Sequence, residues 1–330
     1  MHKPLIDGYS VVATAPATVA NVGPGFDLLG FTLAGPGDDV RVSWADTPGI
    51  TISQIVGDSG KLSYDPAQNC IGVVASALLN AQGCERGISL ELTKGLPLGS
   101  GMGSSAASSA AAALAVNALL GSPFSPAELV RFAMIGEVRA CGTAHADNVA
   151  AAILGGIVLI SSYEPLRIVE LPCPPSLYYA VVNPHFALET SHSRSVLPKQ
   201  IPLATSIKQS AALASLLCGL YTNDYDRIAS ALVDYIAEPA RFPLIPFSSD
   251  VKDAARRAGG INCNISGSGP SLFSLCPSPE VADDVASAMN GAFAAAGITS
   301  TTHTGLIERR PPEIRIVPHA AESSSLLPHP

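Results

Sequence analysis

Residues Lys94 to Ala107 read Lys-Gly-Leu-Pro-Leu-Gly-Ser-Gly-Met-Gly-Ser-Ser-Ala-Ala. Gly99, Gly101 and Gly103 alternate with other residues, and Ser104 and Ser105 then open an Ala-rich run that lasts to Leu120. A flexible glycine loop that runs straight into a helix start limits the folds open to a chain. It needs a sheet or core to hang the loop on and a buried helix behind it. Glycines let backbone N–H groups approach a ligand closely, and the first helical turn has N–H groups with no intrahelical partner at the positive end of the dipole. The chemistry matched by this arrangement is a phosphate. Ser104 and Ser105 add hydroxyls that can cap the helix or reach a metal ion.

Which phosphate loop this is can be argued from spacing. A Walker loop requires a Lys directly before the Ser, and Gly103 stands there instead. A dinucleotide loop requires Gly-x-Gly-x-x-Gly and an acidic residue about 20 positions further on. Here the glycines are spaced one apart, Leu120 to Phe124 are uncharged, and Glu128 comes late. A plain Gly/Ser turn capping a buried helix is the bland alternative. The whole string Pro97 to Ala107 resembles the phosphate loop of the GHMP kinases, the superfamily of galactokinase, homoserine kinase, mevalonate kinase and phosphomevalonate kinase. That resemblance assigns Pro97, Leu98, Gly99, Ser100, Gly101, Met102, Gly103, Ser104 and Ser105 to the nucleotide.

A chain of 330 residues exceeds one ordinary core and suggests about two domains. Apolar residues make up 47% and charged ones 14%, so large cores can be buried. Mean hydropathy is high at +0.32. The longest apolar candidate, Ala106 to Leu120, is interrupted by Ser108, Ser109 and Asn117 and falls short of the roughly 18 residues of a membrane span. It reads as a buried helix. Net charge is −8, and basic residues cluster only in pairs such as Arg256-Arg257 and Arg309-Arg310, which argues against nucleic acid. No nucleic-acid or membrane partner is expected. The seven cysteines are odd in number and scattered, with no Cys-x-x-Cys. They read as free thiols in a reducing compartment. The sequon Asn264-Ile265-Ser266 falls in an expected buried strand and is discounted. The N-terminus shows no signal-peptide pattern.

Alternation and β-branched content predict strands at Val11–Ala15, Val40–Trp44, Ile50–Ser53 and Ile88–Leu92, with a turn at Gly35-Pro36-Gly37-Asp38. Helical periodicity covers Asn69 to Gln82. Ser104 to Leu120 is a helix stopped by Gly121 and Pro123. Ser125-Pro126 starts another that runs to about Cys141, and Ala146-Asp147 starts a third. Gly155-Gly156 lead into a strand at Ile157–Ile160. The Pro-rich stretch Tyr163 to Pro175 reads as irregular, and the domain boundary is placed there: 1–165, 166–318, and a frayed Ser/Pro-rich tail at 319–330. Beyond it, strands are expected at Leu177–Val182, Cys263–Ser266 and Leu272–Leu275. Helices are expected near Thr205–Leu220, Asp226–Ala237, Ser249–Ala258 and Pro279–Ala296. Strands and helices mixed in both halves argue for an α+β fold.

Five further segments carry candidate chemistry. Pro16 to Gly30 is a strand followed by a tight polar loop that presents Asn21 and Asp27, which could equally form turn hydrogen bonds. In Gly136 to Ala150, Glu137 sits within an apolar helical stretch. A buried carboxylate is costly unless it is paired or bound to metal. Glu137 with Ser105 would suit Mg²⁺, and an ion pair to Arg139 or Lys94 is the bland alternative. His145 reads as a helix-start residue, and Asp147 as a cap or a base. Asn183–Pro198 and Glu238–Pro246 carry Arg194 and Arg241 in surroundings of low charge, which suits a fork for a small carboxylate, although each alone could be an ordinary salt bridge. Gly260–Ser271 holds a Gly-Ser-Gly-Pro turn.

In order along the chain these segments resemble the motifs of the homoserine kinases within the GHMP superfamily, from about Val11 to Leu275. The resemblance implies an N-terminal α+β nucleotide domain and a C-terminal ferredoxin-like domain. It implies ATP and Mg²⁺, with the metal on Ser105 and Glu137, and L-homoserine as the small-molecule substrate. Asn21 and Asp27 would orient the substrate, Arg194 and Arg241 would hold its carboxylate, and Asn148 would bond near its hydroxyl. Glu137 and Asn148 are thus the expected catalytic pair. Asn cannot accept a proton at neutral pH, so activation by alignment is expected, with Asp147 as the rival base. Other GHMP acceptors (shikimate or an isoprenoid alcohol) and a non-catalytic sensor are the competing readings. A cytoplasmic setting, or a plastid after loss of a transit peptide, and a homodimer accord with the resemblance.

Overall fold

The computed structural model describes residues 7–318, so the expected tail at 319–330 lies outside the described residues. Among the described residues, eleven strands and ten α-helices follow in chain order. The first half comprises β1 (Tyr9–Ala20), β2 (Leu29–Ala45), β3 (Ile50–Val56), α1 (Cys70–Gln82), β4 (Gly87–Thr93), α2 (Ser104–Leu119), α3 (Pro126–Cys141), α4 (Asp147–Leu154), β5 (Ile157–Tyr163) and β6 (Leu166–Leu171). The second comprises β7 (Tyr178–Pro184), α5 (Thr190–Ser195), α6 (Leu203–Thr222), α7 (Tyr225–Ala231), α8 (Ala237–Arg241), α9 (Ser248–Arg257), β8 (Ile261–Ile265), β9 (Leu272–Cys276), α10 (Pro279–Ala295), β10 (Ser300–Leu306) and β11 (Glu313–Pro318).

Local chemistry sets the helix ends. Asn69 caps α1 by accepting from the Ile71 N–H at 3.2 Å, and Gly83 ends it at φ 64°. Ser125 and Glu128 form a reciprocal capping box at α3. A seven-stranded sheet runs β11-β1-β2-β4-β3, with β5 added to β2 and β6 to β5. Helices α1 to α4 cover one face, and their Ala-rich surfaces close a core with Val40, Val42, Leu90 and Leu92. The second sheet has the order β10-β7-β9-β8, the ferredoxin-like pattern, with α9 and α10 packed on it.

Several expectations need correction. Gly35–Asp38 is no turn: β2 runs through it, and the register against β1 shifts between Pro16 and Thr18, so the Gly-Pro-Gly residues are absorbed in an irregularity of one long strand. The Pro-rich stretch contains a regular strand, β6, paired with β5. A boundary at 165 therefore cuts a hairpin of the first sheet, which extends to Leu171. The last strand, β11, returns to pair with β1, so the chain end after 312 also belongs to the first sheet. The helix expected over Asp226–Ala237 stops at Ala231, and α8 starts only at Ala237.

Between the sheets lies a shared apolar core. Phe31 of β2 packs against Tyr179 of β7 and Phe273 of β9 with ring centroids 6.1 and 5.7 Å apart. The Tyr179 hydroxyl donates to the Ala34 carbonyl at 3.0 Å and accepts from its N–H at 2.8 Å. Helix α6 has the length and composition of a membrane span, yet it adds Leu216 and Leu220 to this core. The two units are thus held in one relative position, and the phosphate loop lies where they meet.

Candidate active site

The phosphate loop is shaped by its glycines. Gly99, Gly101 and Gly103 all take left-handed backbone angles, at φ 68°, 77° and 69°. At Gly101 a Cβ would come within 2.6 Å of the Gly269 carbonyl oxygen. Gly103 is the N-cap of α2 and offers no side chain to the first-turn amides, which stay available to a ligand. Bonds from the second domain hold the loop from behind. Ser266 Oγ donates to the Gly101 carbonyl and Ser271 Oγ to the Ser100 carbonyl, both at 2.7 Å. Asn183 Nδ2 reaches the same Ser100 carbonyl at 3.2 Å. The Gly-Ser-Gly-Pro segment therefore buttresses the phosphate loop.

In front of the loop is a cavity of about 720 Å³. Leu98, Gly99, Ser100, Gly101, Gly103, Ser104 and Ser105 line it. Two residues expected to touch the nucleotide lie outside the cavity lining. Pro97 is exposed outside the cavity. Met102 points into the interdomain core with 1% of its surface accessible, because the alternation that turns the glycine amides forward turns this side chain back.

Glu137 on α3 faces Ser105 on α2, and the Ser105 hydroxyl donates to Glu137 Oε2 at 3.2 Å. The carboxylate is buried, and its Oε1 has no hydrogen-bond partner among the described residues. Burial lifts its pKa to about 7. The bland alternative of an ion pair to Lys94 or Arg139 does not form: Lys94 pairs with Asp38, and Arg139 bonds Gln68. An unneutralised buried carboxylate beside a hydroxyl and a phosphate loop fits the donor set that Mg²⁺ prefers.

The other end of the cavity is lined by Asn21, Asp27, His145, Asp147, Asn148, Arg194 and Arg241. Arg194 Nη2 donates to Asp27 Oδ2 at 2.7 Å, and His145 Nδ1 lies 3.2 Å from Asp27 Oδ1. Burial works to raise the Asp27 pKa, but bonds from His145 and Arg194 outweigh it and hold it at about 2. Burial likewise opposes charge on His145, yet Asp27 keeps its pKa above the ordinary value. Asn21 and Asp27 both adopt left-handed angles, at φ 59° and 55°. Asn21 has both ends of its amide engaged, Oδ1 by the Asp27 N–H and Nδ2 by the Gly267 carbonyl, each at 2.8 Å. It ties Asp27 to the second domain and also lines the cavity. The Thr18 hydroxyl donates to Asn148 Oδ1 at 2.7 Å, so the amide NH₂ of Asn148 is the end left to donate. Asp147 is buried beside it and lifted by burial to about 6.

Arg241 is 3% exposed. It donates to the carbonyls of Ser193 and Gly267 at 3.1 and 3.0 Å, and no carboxylate is within ion-pair distance among the described residues. Phe26 lies between the two guanidiniums, at 5.7 Å from Arg194 and 5.2 Å from Arg241. A buried guanidinium bonded only to neutral carbonyls is a site for an anion. Sequence reasoning missed two members of this cluster. His145 was read as structural. Tyr163, in the stretch read as irregular, donates from its hydroxyl to the Asp27 carbonyl at 2.8 Å. A lone His before Asp147 was a faint signal for the first, and nothing in the sequence marked the second.

Residues 69–156 match the GHMP kinases N terminal domain and residues 213–295 the GHMP kinases C terminal domain. Homoserine kinase of Chlorobaculum tepidum is 48% identical over 295 residues, covering 86% of this chain and 91% of that protein. The chain belongs to the homoserine kinases of the GHMP kinase superfamily. Homoserine kinase of Arabidopsis thaliana is 44% identical over 291 residues, with 86% of this chain and 78% of that protein covered. The crystal structure of homoserine kinase from Cytophaga hutchinsonii superposes with a TM-score of 0.91 at 43% identity, covering 96% of this chain and all of that one. Leishmania major mevalonate kinase, at 15% identity and a TM-score of 0.67, shares the GHMP fold alone.

Proposed function

We propose that this chain transfers the γ-phosphoryl group of ATP to the side-chain hydroxyl of L-homoserine, forming O-phospho-L-homoserine on the route to threonine. The observation that carries the reading is one continuous cavity. It has a phosphate loop at one end and, at the other, a carboxylate and two guanidiniums matched to a zwitterionic amino acid. The homoserine kinase relatives supply the identity of that amino acid.

Phosphoryl transfer needs alignment and charge neutralisation more than covalent help from the protein. The N–H groups from Gly99 to Ser105 cradle the phosphates. Ser105 and Glu137 would hold Mg²⁺, which when bound neutralises charge on the phosphate oxygens. Asp27, braced by Asn21, receives the substrate ammonium, and His145 borders the same carboxylate. Arg194 and Arg241 receive the substrate carboxylate, a bidentate task suited to guanidiniums. Asn148 donates its NH₂ near the hydroxyl. Alignment activates the hydroxyl, and its proton passes to a phosphate oxygen. The free state of all seven cysteines fits a reducing, cytoplasmic setting.

The direct test is ADP release with ATP and a panel of acceptors. Homoserine should be turned over, while shikimate and isoprenoid alcohols should not. Turnover of one of these in place of homoserine would replace the substrate, and silence with every acceptor would favour a sensor.

A further inference from the structure

Asp38 and Lys94 are buried beside the phosphate loop, with side chains 0% and 1% exposed, and Lys94 borders the cavity. Asp38 comes from the irregular part of β2, in a stretch whose sequence predicts a turn. Lys94 opens the loop, where a cation would suit a phosphate. Asp38 Oδ1 accepts from the N–H groups of Gly95 and Leu96 at 3.0 and 3.2 Å. Its Oδ2 accepts from Ser108 Oγ at 2.6 Å and from the Lys94 ammonium. The ammonium also donates to the Ser104 carbonyl at 2.9 Å and to Ser108 Oγ at 3.0 Å. An ammonium has three protons, and all three are engaged within the protein.

We propose that Asp38 and Lys94 form a brace that fixes the separation of the two ends of the phosphate loop, so that Lys94 is a positioning residue and not a phosphate ligand. The inference rests on the nucleotide reading above. Gly95 and Leu96 are the loop's entry, and Ser104 and Ser108 its exit on α2. Ser104 Oγ ties the two again by donating to the Leu96 carbonyl at 3.2 Å. Between them stand the three left-handed glycines, a segment with little stiffness of its own. Its curvature is therefore set by its ends. Ser105, which faces Glu137, follows Ser104 directly, so a shift at the exit moves the metal-side hydroxyl as well. Close packing reinforces the entry, where a Cβ on Gly95 would overlap the Gly37 carbonyl.

The two roles for Lys94 predict opposite results in Asp38→Asn. A phosphate-binding lysine held back by Asp38 would be released, and nucleotide would bind as tightly or more tightly. A brace would be broken. The expected result is a KM for ATP and a Kd for ADP raised about ten-fold, with the KM for homoserine within about two-fold of wild type. Unchanged or tighter ADP binding overturns the proposal. Because a single change orphans a buried charge, Asp38→Leu with Lys94→Met provides a second variant that leaves no unpaired ion. Folded by near-UV circular dichroism, it should show the same split, and wild-type ADP affinity in it would overturn the brace. Hydrogen exchange on the unaltered protein needs no variant. The Gly95 and Leu96 amides should be protected along with the sheet, and exchange at the rate of open loops would refute the proposal. A wild type that binds ADP but phosphorylates no homoserine would remove the substrate assignment and leave the brace intact.

Discussion

Arg194 and Asp27 bond each other across the substrate end of the cavity, 2.7 Å apart, from elements 167 residues apart in sequence. One is the expected holder of a carboxylate and the other of an ammonium. A zwitterionic amino acid carries both countercharges, so it can insert between them and exchange one internal ion pair for two.

That exchange makes Arg194→Ala informative. Loss of a charge-assisted pair with a substrate carboxylate should raise the KM for homoserine about a hundred-fold while the KM for ATP changes little. An amino alcohol lacking the carboxylate should be almost indifferent to the change. Steady-state kinetics with both acceptors gives the answer, and equal losses for the two would remove Arg194 from carboxylate binding.

Glu137 should trade stability against function. Its folded pKa of about 7 stands above the ordinary 4.5, so the folded state holds the proton more tightly than the unfolded chain does. The stability this contributes is full below about 4.5, is lost as pH rises to about 7, and is absent above. Glu137→Gln should therefore raise the thermal stability of metal-free protein at pH 8, by about 2 kcal/mol, and change it little at pH 4.5. The same variant should lose Mg²⁺-dependent turnover. In the wild type the Mg²⁺ concentration needed for half-maximal rate should climb as pH falls below 7, because proton and metal compete for one carboxylate.

Asp147→Asn separates alignment from base catalysis. Burial places the Asp147 pKa near 6, low enough for the group to be ionised at neutral pH. Turnover near the wild-type value is expected, with no loss of the rate's pH dependence around 6. A collapse of kcat with unchanged KM values would make Asp147 the base.

Tyr163→Phe should loosen the substrate end without touching the nucleotide end. It deletes the hydroxyl that donates to the Asp27 carbonyl and accepts, at 3.4 Å, from the Ala146 N–H. One hydrogen bond of this kind contributes about 1 kcal/mol. The expected outcome is a several-fold rise in KM for homoserine at constant KM for ATP.

Gly101→Ala tests the loop's curvature. The residue stands at φ 77°, and a Cβ there meets the Gly269 carbonyl. Nucleotide affinity should fall more than ten-fold and the melting temperature should drop, since strain at such a position costs on the order of 1–3 kcal/mol.

The sequence by itself determined whatever depends on near neighbours along the chain. Asn69 and Gly83 bound α1, Ser125 and Glu128 start α3, and the alternating glycines bend the loop ahead of Ser104, because caps and left-handed turns are local bonds and local sterics. The order of motifs was also enough to recognise the family. Tertiary structure alone decided which long-range partners meet. Asp38 looked like part of a turn because Gly-Pro-Gly precedes it, yet pairing with β1 holds it in a long strand and its carboxylate reaches the loop's entry. Asn21 is brought against the Gly267 carbonyl only by packing of the second domain. Tyr163 and β6 lay hidden among prolines, and β11 returned to the first sheet from the far end of the chain. Such contacts form only when separate elements are packed together, and burial, not spacing, fixes whether a charge becomes a brace, a ligand or a surface group.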